Sequence, residues 1–422
     1  MLSFLAKGLF RDRSRSLFPL LTVAIGVTLV VFMDSYLRGA TDAMFAATAS
    51  FVCGHLRVTT RAYAKAGTDA TNELALLGVD SILGELKRDF PEVTWTLRTR
   101  FGGLIDVPDS AGETRVQSPA AGMAIDLSPA GPERKILRLE QSLASGRLPS
   151  APGEVLLSDD FARRLGLKPG DRLTLVSSTM NGSMATYNFT LSGTVRFGVS
   201  VMDRGAMLAD IKDIQQALDM PDAADAVFGF LPGAGYDDKL AMRLAARYNA
   251  GRDTTDQYAP KMETMRTASG LGSMFDLIGA ATGLIVFIFI VAMAVVLWNA
   301  GLMGSLRRYG EIGVRLAIGE SKPAVYRSLL AEAFLVGLAG SVVGTFAGLG
   351  VSFYLQEVGI DISGMMPNAT VVIDDVLRAR ITPASVYIGF VPGLLATFFG
   401  AAISGLGVFK RQTAMLAKEL GS

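Results

Sequence analysis

Apolar positions in this chain gather into four long runs: Leu17–Tyr36, Phe275–Gly301, Ser328–Leu355 and Val386–Val408. At about 1.5 Å of rise per residue, each run can cross roughly 30 Å of hydrocarbon as a helix. The runs almost completely avoid Lys and Arg, each of which costs about 2.5–3.5 kcal/mol at a helix centre. The pattern predicts spans at 17–36, 275–301, 328–355 and 386–408. An N-terminal segment 1–16, a long polar region 37–274, a connection 302–327, a loop 356–385 and a tail 409–422 lie around them.

The polar region mixes both periodicities. Within Ala151–Val176, Glu154–Leu157 reads as a strand, and Ser158 or Asp159 can cap a helix that Gly166 ends. Lys168-Pro169-Gly170-Asp171 is a turn before a strand at Arg172–Val176. Tyr187–Val195 alternates apolar and polar residues, as a half-buried strand should. Ile211–Ala217 and Lys239–Ala250 read as helices, and Thr254–Met274 as a helical stalk after Pro260. The fold class expected is an α-helical membrane protein with four transmembrane helices. A large mixed α+β extracytoplasmic domain sits between helices 1 and 2.

Composition agrees, with 50% hydrophobic and 19% charged residues and a mean hydropathy of +0.38. Charge adds orientation. Lys7, Arg11, Arg13 and Arg15 precede the first span; Arg307, Arg308, Arg315, Lys322 and Arg327 lie around the connection; Lys410, Arg411 and Lys418 follow the fourth span. Crossing four times puts all three groups on one side, which makes both termini and the connection cytoplasmic. Arg378 and Arg380 fall on the other side. The first run could instead be a cleaved signal peptide, with Ala47-Thr48-Ala49 as its site. Its length and the distance to that site speak against this.

Candidate chemistry is sparse. Cys53 is the sole cysteine, which excludes an internal disulfide. His55 is the sole histidine, and neither H-E-x-x-H nor G-x-S-x-G occurs. No catalytic or metal-binding residue is expected. A net charge of +1 without a basic patch gives no sign of nucleic-acid binding. The chain also lacks G-x-x-x-x-G-K-[ST], so no P-loop ATPase is built in. It is not expected to be an enzyme or to bind a cofactor directly, and any ATP would be used by a partner.

The connection has a pattern of its own. With Arg308–Lys322 taken as a helix, Arg308, Glu311, Arg315 and Lys322 form a charged stripe beside an apolar stripe of Tyr309, Ile312 and Leu316. Glu311 and Arg315 form an i,i+4 pair with the acid first. Gly313 leaves room for close packing, Gly319 can end the helix, and Ser321 can cap the next. The residues alone leave two readings open: an interfacial helix, or a surface that docks on a cytoplasmic partner. In the third span Gly340, Gly344 and Gly348 recur every fourth residue, beside a second ridge of Ala333, Gly337 and Ser341. Such ridges let helices approach closely, within one chain or between two. Gly279/Gly283 and Gly389/Gly393 are weaker versions. Glu332, about one turn inside the span, is an intramembrane acid within reach of Arg327 or Lys322.

The segment Glu311–Ser321, EIGVRLAIGES, resembles the E-I-G-V-R-x-A-x-G-A-S signature of FtsX/MacB-type ABC transporter permeases, departing from it at Glu320, where that family usually has Ala. Gly54-His55-Leu56-Arg57-Val58, Gly146-Arg147-Leu148-Pro149, Pro152-Gly153-Glu154-Val155 and Leu165–Asp171 are similar to external-domain motifs of its lipoprotein-releasing (LolC/LolE-like) subgroup. The resemblance implies a multi-pass bacterial inner-membrane permease, paired as a homo- or heterodimer and driven by two copies of a cytoplasmic ATPase. It implies mechanotransmission, with ATP-driven closure moving the external domain and with substrate expelled from the membrane or periplasm. It assigns ATPase coupling to Glu311, Ile312, Gly313, Arg315 and Gly319. A lipid-anchored cargo would enter between the first and second spans. The alternatives are an efflux permease for a small molecule or peptide, working with a periplasmic adaptor, and a non-transporting transmembrane signalling protein.

Overall fold

The structure is a computed structural model that describes residues 13–67, 70–109, 112–232, 236–268, 271–306, 309–362 and 376–406. It forms two compact units. The helices used below are α1 (Arg13–Thr48), α2 (Asp238–Asn249), α3 (Leu271–Leu306), α4 (Tyr309–Ala317), α5 (Lys322–Val358) and α6 (Phe390–Gly405). Among the described residues four helices are long and apolar enough to cross a membrane: Leu17–Cys53, Gly272–Val296, Lys322–Val358 and Pro383–Ile403.

α1 continues well past Tyr36 and ends in a π-turn, Ala49–Cys53. Gly39 is absorbed within the helix, and Gly54, whose φ of +67° is left-handed, stops it. Of the two packings open to the Gly340, Gly344 and Gly348 ridge, the structure shows the one within the chain. A Cβ on Gly340, Gly344 or Gly348 would lie 2.5–2.8 Å from Val23, Ala24 or Val31 of α1. Thr28 Oγ1 donates to the Gly344 carbonyl at 3.1 Å. The second ridge faces α6, with Gly337 against Thr397 and Ser341 against Gly393. Gly389 and Gly393 meet Val27 and Val31, while Gly279 and Gly283 meet nothing within 4 Å. α1 is thus held between α5 and α6, and α3 reaches it through Met293.

The second unit is built on one sheet. Its strands are β1 (Leu56–Thr60), β2 (Thr94–Pro108), β3 (Thr114–Ile125), β4 (Leu143–Gly146), β5 (Glu154–Ser158), β6 (Arg172–Ser178), β7 (Met184–Val195), β8 (Ala206–Asp210), β9 (Ala226–Phe230) and β10 (Pro260–Thr264). They run in the order β10-β1-β9-β2-β3-β8-β5-β7-β4, with β6 pairing both β2 and β7. β2, β3, β8, β5, β7 and β6 therefore close a ring. Val155, Leu157, Leu173, Leu175, Phe189, Met207 and Ala209 belong to its main core. Leu156, Val195 and Leu208 point the other way into a second core with Ile125 and Leu139. The half-buried expectation for Tyr187–Val195 therefore holds only for its first half; Leu191–Val195 is buried on both faces.

The stalk expectation after Pro260 fails. Pro260–Thr264 is a strand, paired antiparallel with β1 from Leu56↔Thr264 to Thr60↔Pro260. Met262 and Thr264 are buried, and a helix there would expose that row and unpair β1. Proline is tolerated because it opens an edge strand. On the open edge, Asn249 of α2 takes the place of a neighbouring strand. Its Nδ2 donates to the Met262 carbonyl at 2.8 Å, and the Met262 N–H donates to its Oδ1 at 3.0 Å. The Thr264 N–H donates to Thr267 Oγ1.

Candidate coupling site

Of the 302–327 connection, the described residues form the end of α3, the helix α4, a turn and the start of α5, so a single helix running through to Lys322 is not formed. α4 stops at Ala317, and Gly319 follows with φ +98°. The Gly319 N–H donates to the Leu316 carbonyl at 3.2 Å and the Glu320 N–H to the Arg315 carbonyl at 3.0 Å. These two bonds are the Schellman pair that closes a helix on a left-handed residue. Lys322 consequently belongs to α5 and leaves the charged stripe. Ser321 has the extended backbone of an N-cap, but its side chain makes no capping bond.

Gly313 is buried, while Val314 and Ile318 are 51% and 79% exposed. α4 therefore shows apolar as well as charged surface. Arg315 forms a forked pair with Glu320, Nε to Oε2 at 2.6 Å and Nη2 to Oε1 at 2.7 Å. That bond holds the Glu320 carboxyl below its ordinary range. Arg307 and Arg308 lie outside the described residues, as do the side chains of Glu311 and Ile312.

Three polar clusters were not singled out in the sequence. Asp34, 2% exposed on α1, accepts from Arg38 Nε at 2.9 and 3.0 Å and from Ser385 Oγ at 3.2 Å. Its signal was legible: an acid inside an apolar run with an arginine four residues on. In the second unit Arg98 and Glu133 form a forked pair at 2.7 Å with side chains 2% and 0% exposed. Arg98 also donates to the Ser50 carbonyl and lies 4.9 Å over the Phe228 ring. The alternation of Thr94, Thr96, Arg98 and Arg100 suggests a solvated face, which hides this pair.

Beside it, Arg57, Tyr63, Arg98, Arg100 and Asp225 line a cavity of about 20 Å³, room for about one water. Asp225 Oδ2 accepts from the Arg100 N–H at 2.8 Å, and Oδ1 has no hydrogen-bond partner among the described residues. Burial pushes the Asp225 carboxyl up to about 6. His55 is structural: its Nδ1 accepts from the Leu231 N–H at 2.9 Å, and burial lowers its pKa. Among the described residues no group of three or more His, Cys, Asp or Glu could hold a metal.

Four helices long and apolar enough to cross a membrane, with a mixed α/β domain inserted between the first and second, have the make-up of a multi-pass membrane protein. Residues 16–254 match the MacB-like periplasmic core domain, and residues 283–413 match the FtsX-like permease C-terminal domain. The chain belongs to the FtsX/MacB-type ABC transporter permeases. It is 26% identical over 234 residues to the lipoprotein-releasing system transmembrane protein LolC of Xylella fastidiosa strain Temecula1, covering 54% of this chain and 55% of the relative. LolC of strain 9a5c matches to the same extent. The match thus spans about half the length of these curated relatives. The crystal structure of the periplasmic region of MacB from Actinobacillus actinomycetemcomitans aligns with a TM-score of 0.34 at 11% identity, covering 50% of this chain and 89% of that one.

Proposed function

We propose that this chain is the transmembrane subunit of an ABC exporter that releases lipoproteins from the inner membrane. A separate cytoplasmic ATPase, present in two copies, supplies the energy, and a second permease subunit completes the complex. The observation that carries the reading is segment 311–321. In a chain of this permease family, it forms the end of a short helix and a glycine-closed turn between two long apolar helices. The distribution of Lys and Arg supports a cytoplasmic position for this segment and for both termini.

Mechanically, nucleotide-driven closure of the ATPases pushes α4. The turn at Gly319 passes the push to α5, whose glycine ridge grips α1. The chain itself performs no bond chemistry and holds no cofactor. Moving an acyl chain into water costs about 0.8 kcal/mol per CH₂, so a lipid anchor needs an apolar route. The uncovered apolar face of α3, including Phe287, Ile288 and Val291, supports such a route. The lipoprotein class is supported by the LolC likeness and by the motifs within 146–171.

The test is depletion of the protein followed by membrane fractionation, with affinity purification of the tagged chain alongside. Mature lipoproteins are expected to accumulate in the inner membrane, and a P-loop ATPase is expected to co-purify. A normal lipoprotein distribution with the ATPase still bound would sink the cargo assignment, leaving efflux or signalling. Absence of any ATPase would sink the permease mechanism.

A further inference from the structure

Arg315 lies in the segment assigned to partner coupling, yet its guanidinium is engaged within the chain. Nε and Nη2 take both oxygens of Glu320, and Nη1 lies 3.5 Å from Ser328 Oγ. A guanidinium has five N–H donors in one plane, and a forked carboxylate fixes that plane. Ser328 is 5% exposed, so the third contact reaches into the side of α5. The backbone repeats the tie through the Glu320 N–H on the Arg315 carbonyl. One residue thus brackets the Gly319 turn from both sides. Glu320 is the position where the motif departs from its usual alanine, and alanine has no acceptor to offer.

We propose that Arg315 is a positioning residue. Glu320 and Ser328 hold it as a strut across the turn and fix the angle between α4 and α5. It transmits the partner's movement and does not form the partner contact. The transmitting role rests on the ATPase-coupled reading above; the strut itself does not.

The test uses the full-length protein in detergent with its co-purifying ATPase, and the variants Arg315→Glu, Glu320→Arg and the double reversal. Two quantities are read: hydrogen exchange of the 316–321 backbone amides, and ATP turnover of the complex. Each single reversal should speed exchange about two- to fivefold, the range of a part-exposed ion pair, and lower turnover without loss of ATPase capture. The double reversal should restore both. Glu320→Ala is the milder variant should a reversal prevent folding, and it should speed exchange in the same direction. Unchanged exchange in every variant overturns the strut. Loss of ATPase capture in Arg315→Glu that the double reversal does not restore makes Arg315 a direct contact and overturns the proposal. If the wild type captures no ATPase, the transmitting role falls with the coupling reading, while exchange still decides the strut.

Discussion

Substitution of Gly344 by alanine probes the packing of α1 against α5. The added Cβ would lie 2.5 Å from the Ala24 carbonyl oxygen and 2.8 Å from Val27 Cβ, where ordinary contact begins at 3.4 Å. The first of these is backbone and cannot rotate away, so the helices must part by the difference, about 0.9 Å. A gap of that size forfeits about a quarter to a half of each dispersion contact of about 0.1–0.2 kcal/mol. Val23, Val27 and Val31 are at most 2% exposed, so some tens of atom pairs are affected. The Thr28–Gly344 hydrogen bond adds about 0.6 kcal/mol. The expected loss is about 2–3 kcal/mol, within the usual range for overpacking. Gly350→Ala is the control on the same helix: its Cβ meets nothing within 4 Å, and it should be neutral or stabilising by about 0.5–1 kcal/mol. Reversible unfolding of both variants in one detergent mixture, followed by helical circular dichroism, measures the difference. Equal stability of Gly344→Ala and Gly350→Ala would refute the packing described for α1 and α5.

Three further outcomes are expected. Arg98→Ala strands Glu133 without its buried partner and should destabilise the mixed domain by about 3–5 kcal/mol, read from Trp95 fluorescence in a Trp298→Phe background during denaturant unfolding. Asp225 binds its proton more tightly folded than unfolded, so its contribution makes stability fall as pH rises from about 4 to 6, by about 3 kcal/mol. Asp225→Asn should remove that component, and identical pH–stability curves for the two proteins would contradict it. Gly319→Ala, at φ +98°, should cost about 1–3 kcal/mol and loosen the same 316–321 amides, which hydrogen exchange reads directly.

Much of the helical layout was legible because lipid imposes a length and a composition that few other environments do. The four runs predict where long helices fall, and the spacing of Gly340, Gly344 and Gly348 marks a packing face. What it packs on was not legible, because the valines it grips on α1 carry no pattern distinct from lipid-facing ones. Gly166 and Gly319 declared their helix ends through backbone freedom alone, a local property. Pro260–Thr264 does not read as a strand because its strand character comes from β1, about two hundred residues away in sequence, and not from its own propensity. At the candidate site the spacing offers Glu311, whose side chain lies outside the described residues, as a partner of Arg315. Glu320 was visible as a departure from the motif, but an i,i+5 pairing exists only once Gly319 has turned the chain.

Asn249 leaves the β10 side of the sheet with no backbone donor to offer. Along that edge Pro260 has no N–H, Met262 is taken by Asn249, and Thr264 is taken by Thr267. An edge so occupied cannot recruit a strand from a neighbouring molecule. The ring formed by β2, β3, β8, β5, β7 and β6 has no edge to offer either, which leaves the short β4 as the opposite margin of the sheet. A neighbouring molecule can therefore meet the β10 side only through side chains, and part from it again, without the two sheets fusing there.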